Sequence, residues 1–130
     1  MKVHPYLSFS GNCAEAVALY EKAFQVQAVV YPNEESGNLI DHAEFTVGDD
    51  AIFMHDMTWE PVQIGNHMLI TIKFDADDNA EAAAAKAAFA VLKEGGNLIE
   101  ALEENDWNKC FGLLVDKFGV KWNFCGGIKM

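Results

Sequence analysis

The sequence contains no arginine. Its nine basic residues are all lysine, and they face twenty acids, for a net charge of −11. Without a guanidinium the chain lacks the planar fork that best grips phosphate and carboxylate. Its charge repels nucleic acid and anionic lipid, so neither is an expected partner. Cysteine is scarce as well: Cys13, Cys110 and Cys125 are odd in number and widely spaced, with no CxxC. They read as free thiols, not as a disulfide framework or a structural zinc site. No apolar run approaches the roughly 20 residues of a membrane span. The opening MKVHPYLSFSG has no apolar core of the kind a signal peptide carries, so the expected compartment is the cytoplasm.

What the chain does have is enough apolar material for a core: 51% of its 130 residues are hydrophobic. Val3–Ser10 alternates and carries aromatics, so it reads as a strand. Gly11 and Asn12 break it, and Asn12 with Glu15 makes a capping start for a helix whose Ala16, Tyr20, Ala23 and Phe24 recur at helical spacing. Strands follow at Gln25–Tyr31, Leu39–Val47 and Ala51–His55, the last two joined through Gly48-Asp49-Asp50. Residues 58–66, with Trp59, Pro61 and Gly65, read as a connection.

The pattern then restarts. Met68–Phe74 is a strand, and Asp78 caps a helix whose Ala85, Ala88, Phe89 and Leu92 form a stripe that Gly95-Gly96 ends. Asn97–Leu102 is a strand, and Lys109–Val115 and Val120–Cys125 form a hairpin around residues 116–119. The order is βαβββ twice, and Ala14-Glu15-Ala16 recurs as Ala80-Glu81-Ala82, half a chain length on. The expectation is an α+β domain over 1–130, made of module 1–57 and module 67–130, whose sheets pair into one curved mixed sheet around a hollow suited to a small molecule.

Several stretches resemble a known family. PYLSFSGNCAEAVALYEKAF is similar to the opening strand and helix of the PhnB-like proteins, and HAEFTVGDDAIFMHD to their first hairpin. LKEGGNLIEALEENDW and FGLLVDKFGVKWNFC resemble their second module and end, with DKFGVKW the most specific piece. The resemblance covers nearly the whole chain. It implies the glyoxalase/bleomycin resistance-like fold of the vicinal oxygen chelate superfamily. In enzymes of that superfamily four strand side chains, typically His, Gln or Glu, hold a divalent metal. By position those slots fall here on Pro5 and near Met54, Leu69 and Asn123, none a good ligand for such a metal. His4 and His55 stand one residue from a slot and so, by alternation, on the other face. No cofactor is therefore expected. The alternative is a divalent metal held in a non-standard way by His42, Glu44 and His55, with His67 nearby. Some PhnB-like proteins carry a methyltransferase label, but no glycine-rich turn opens a helix here to receive a nucleotide-like cofactor.

Two residues stand out for chemistry. His42 and Glu44 lie two apart on the third strand and share a face with Thr46, opposite Ala43, Phe45 and Val47. His42 can serve as a general base or metal ligand, with Glu44 orienting it. Both equally fit a strand histidine satisfied by a neighbouring carboxylate. Tyr6, His55, Trp59, His67, Trp107 and Trp122 are candidate ligand contacts. Trp122 alternates with Phe124 in a pattern that also fits core.

Three functions remain open: a small-molecule-binding protein, as in the bleomycin-resistance proteins of the superfamily; a metal-dependent lyase, isomerase or dioxygenase built around His42; and a structural or interaction module. A homodimer is expected under all three.

Overall fold

A computed structural model describes all 130 residues. The chain divides into two compact units, Met1–Gln63 and Ile64–Met130. The division falls inside the expected connection at 58–66.

The first unit contains β1 (Tyr6–Phe9), α1 (Cys13–Phe24), β2 (Val29–Pro32), β3 (Ile40–Val47) and β4 (Asp50–Asp56). Its strands form one sheet in the order β1-β4-β3-β2, with β1 parallel to β4 and the other pairs antiparallel. Helix α1 covers one face. Its Tyr20 and Phe24 rings lie 5.7 and 5.8 Å from Phe45, and Ala43, Phe45, Ile52 and Met54 are buried beneath it. The period of two then turns His42, Glu44, Phe53 and His55 to the opposite, open face.

The start of α1 differs from expectation. The Asn12 side chain makes no cap on the helix; its Oδ1 accepts from Ser10 N. The cap comes from Asp56, at the far end of β4. One carboxylate oxygen accepts from Gly11 N and Cys13 N at 2.8 and 3.0 Å, and the other accepts from Ile40 N at 2.8 Å. A buried carboxylate thus ties the helix N-terminus to the entry of β3, where a negative charge also complements the helix dipole. At the other end Gln25 adopts a left-handed conformation (φ 54°), and Glu21 Oε2 accepts from Ala28 N. Residues 25–28 are therefore the helix exit, and β2 begins at Val29, four residues later than the pattern suggested. β2 is an edge strand that includes Pro32, where the register shifts.

The second unit repeats the plan with β5 (Ile70–Lys73), α2 (Asn79–Leu92), β6 (Asn97–Glu103), β7 (Phe111–Val115) and β8 (Lys121–Cys125) in the order β5-β8-β7-β6. Asp78 caps α2 as expected, its side chain accepting from Glu81 N at 3.1 Å. Ala85, Ala88, Phe89 and Leu92 are buried, with Phe89 edge-on to Phe124 at 5.4 Å. Gly112 allows this approach: a Cβ there would stand 2.8 Å from the Phe89 ring and 2.9 Å from Leu102 Cα. The turn at 116–119 is organised by Asp116. Its Oδ1 accepts from Phe118 N and Val120 N, and its Oδ2 accepts the Trp122 indole N–H at 2.9 Å.

The sequence pattern and the element order agree on an α+β architecture of two βαβββ modules. Hydrogen bonding organises the strands as two four-stranded sheets, one per unit.

Candidate functional site

The open face of the first sheet carries most of the candidate residues. Tyr6 and Ser8 project from β1, Phe53 and His55 from β4, His42 and Glu44 from β3, and Tyr31 from β2. The pairing sets them side by side: Tyr6 and Glu44 both register against Phe53, Ser8 against His55, and Tyr31 against His42. The rings then meet. Tyr6 lies 4.7 Å from His55 and 5.7 Å from both His42 and Phe53; His42 lies 5.0 Å from Phe53 and 6.0 Å from Tyr31. Trp59, just past β4, stacks on His55 at 5.4 Å, and His4, just before β1, stacks on Phe53 at 4.7 Å. Tyr6, Tyr31 and Trp59 nevertheless stay 52, 55 and 70% exposed. Aromatic rings are thus left open with polar groups between them.

A string of polar contacts crosses the face. The Tyr6 hydroxyl meets His42 Nδ1 at 3.1 Å, and His42 Nε2 meets Glu44 Oε2 at a long 3.5 Å. One tautomer satisfies both contacts: Nε2–H donates toward the carboxylate, and Nδ1 accepts from the phenol. Tyr6 then keeps its oxygen lone pairs open. The Ser8 hydroxyl bonds His55 Nε2 at 2.8 Å, and His4 Nδ1 donates to the Ala51 carbonyl at 3.0 Å. Partial burial holds His55 below its usual range, opposed by the charge of Asp56 and reinforced by His42.

Five of the candidate residues, Tyr6, His42, Glu44, His55 and Trp59, share this one face. The other three belong to the second unit. His67 is exposed beyond the start of β5. Trp107 is 78% exposed in a loop pinned by Asn105, whose side chain accepts from Trp107 N and Asn108 N. Trp122 has no exposed surface and lies in the core with Phe124, its indole spent on Asp116. It therefore offers a ligand nothing to touch.

The metal slots also change in two respects. Met54 is fully buried on the helix side of its strand, whereas His55 is on the open face. His4 reaches that face too, in step with Tyr6 and Ser8; Pro5, counted as the slot, has the parity of Leu7 and buried Phe9 on the helix side. Asn123 is buried, its amide donating to the Gly112 carbonyl and its oxygen accepting from Thr71. These residues do not fit a four-ligand metal set. No three His, Cys, Asp or Glu side chains are grouped to hold an ion, and His42, His55 and His4 each have a ring nitrogen committed to a protein partner. Sequence reasoning missed His4, Ser8, Tyr31 and Phe53. The period-two spacing of Tyr6 and Ser8 was a usable signal; Tyr31 needed the β2–β3 register.

No family model matches the chain. Among curated proteins, Protein YjdN of Escherichia coli (strain K12) is 28% identical over 141 aligned residues, spanning 94% of this chain and 92% of its own. Among solved structures, protein PA1353 from Pseudomonas aeruginosa superposes with a TM-score of 0.78 at 28% identity, covering 96% of each chain. A PhnB protein from Bacillus cereus gives 0.76 at 24% identity, covering 96% of this chain and 98% of that one. The chain is similar to that PhnB protein in fold. The fosfomycin resistance protein FosX from Listeria monocytogenes, at 11% identity, shares the fold alone, with a TM-score of 0.66 over 98% of this chain and 90% of its own. The shared fold is α+β and glyoxalase/bleomycin resistance-like. No helix of this chain is long and apolar enough to cross a membrane.

Proposed function

We propose that the protein binds a small organic molecule on the open face of its first sheet, without the metal quartet of its superfamily's enzymes. The observation that carries this reading is the exposed ring cluster of Tyr6, Tyr31 and Trp59 around the His42–Glu44 pair. Exposed aromatics supply contact area with few rotors to freeze, and the phenol, imidazole and carboxylate supply direction. The reading is tested by native mass spectrometry of gently purified protein beside the Tyr31→Ala/Trp59→Ala double variant. An extra organic mass on the wild type that the variant loses supports it; the same mass retained by the variant places the ligand elsewhere and overturns it.

A second reading is favoured by the string Tyr6–His42–Glu44. If the bound molecule is transformed, His42 is the group that would exchange a proton with it through Tyr6, with Glu44 orienting the ring.

A homodimer belongs to the same proposal. Val29 and Val30 on edge strand β2 and Leu98 and Ile99 on edge strand β6 are exposed, and such edges invite pairing. Size-exclusion chromatography with light scattering should give twice the 14.4 kDa chain mass; a monomer at micromolar concentration contradicts it. Three unpaired cysteines suit a reducing compartment, in keeping with a cytoplasmic protein.

A further inference from the structure

We infer that the ligand of this face is a small organic cation, a protonated or quaternary amine. The inference rests on the site reading above and adds the chemical class of the molecule. Its first support is charge: residues 1–63 contain ten carboxylates and two lysines. Neither lysine is part of the ring cluster. Lys22 lies in the last turn of α1, on the opposite side of the sheet, and Lys2 precedes His4 near the amino end. The open face therefore has one formally charged residue among its clustered side chains, the carboxylate of Glu44, 37% exposed.

The second support is the ring geometry. The π-faces of aromatic rings are negative and attract a cation within about 6 Å of the centroid. Tyr6, Tyr31, Phe53 and Trp59 surround the two histidines at ring separations of 4.7–6.0 Å. Three of the four are more than half exposed. The polar atoms left over have the same sign. Glu44 keeps a carboxylate oxygen beyond the one turned to His42, and Tyr6, donating to His42, presents lone pairs. An anion would meet rings, a carboxylate and a strongly negative unit, with no arginine to hold it. A cation meets attraction from each.

The test uses choline and its neutral isostere 3,3-dimethylbutan-1-ol, titrated into the intact protein at 0.15 M salt. At that ionic strength the distant net charge is screened beyond about 8 Å. The readout is the ring carbon–proton NMR signals of His42 and His55. The expected result is that both probes move these signals, with choline binding about fivefold tighter. Glu44→Gln should remove most of that preference, weakening choline more than it weakens the alcohol. Equal or weaker choline binding, with the alcohol still moving the rings, overturns the cation class and leaves the site reading standing. A preference that survives Glu44→Gln overturns the part given to the carboxylate. Rings that respond to neither probe count against both the class and the site.

Discussion

Tyr6 and His42, 36 residues apart and on strands that do not touch, are joined by a 3.1 Å hydrogen bond that passes over Phe53 on the intervening strand. The bond links the two outer parts of the candidate site and selects the Nε2–H tautomer of His42. Tyr6→Phe should release that selection. We expect nitrogen-15 spectra of the His42 ring to show a shift in tautomer population. Stability should fall by no more than about 1 kcal/mol, because the bond is exposed. An unchanged ring spectrum would mean that the bond does not set the tautomer.

Asp56 is the reverse case, a polar residue whose work is structural. Three backbone N–H groups, from Gly11, Cys13 and Ile40, converge on its carboxylate. An amide has only one acceptor oxygen, so Asp56→Asn strands at least one buried donor. We expect a loss of about 1–3 kcal/mol in urea unfolding. A neutral substitution would contradict the role given to this carboxylate.

Gly112 sets how closely α2 and β6 approach β7. The Cβ of Gly112→Ala would meet the Phe89 ring at 2.8 Å and Leu102 Cα at 2.9 Å, and the backbone neighbour cannot rotate away. Overpacking of this kind costs about 1–3 kcal/mol, measurable by thermal or chemical denaturation. A change within error would mean that the strands give way without cost.

His55 makes stability depend on pH. Burial, opposed by Asp56 and reinforced by His42, holds it below its ordinary value of 6.5 in the folded chain. The unfolded chain therefore takes up the proton first. The contribution of His55 is fully present above about pH 6.5 and is lost as pH falls from there through the lower folded value. Comparing the wild type with His55→Gln between pH 7.5 and about 5 should show a shallower fall for the variant. Parallel curves would contradict the shift.

The cysteines should differ in reactivity. Burial, with the Asp56 charge adding to it, pushes the Cys13 thiol up to about 12, and burial also raises Cys110. Cys125 is partly exposed. In native protein at pH 8 a thiol reagent should label Cys125 alone, and the other two only on unfolding. Rapid native labelling of Cys13 would contradict its enclosure beneath Asp56.

The repeated βαβββ order was legible because each element carries its own period. The capping aspartate of α2 was legible because it stands three residues from the amide it accepts. The cap of α1 was not, since Asp56 lies 43 residues from Cys13 and no local pattern links them. Alternation showed that His42 shares a face with Glu44, and Ala43 and Phe45 on the other side marked which face the helix takes. The same reasoning could not place Trp122: its pairing with Phe124 fixes a common face but not which face α2 covers. Tyr31 and His4 were hidden for a related reason. Alternation groups His4 with Tyr6 and Ser8 but does not say which face they take, and Tyr31 joins them only through the β2–β3 register.

The most direct test of the account is the location of binding. We would screen a library of small fragments against isotope-labelled protein by NMR and map the residues whose signals move. The account predicts perturbations concentrated on Tyr6, Tyr31, His42, Glu44, Phe53 and Trp59. Hits that leave these residues still and gather elsewhere, for example on the depression between Lys73, Glu81 and Lys109 in the second unit, would contradict it.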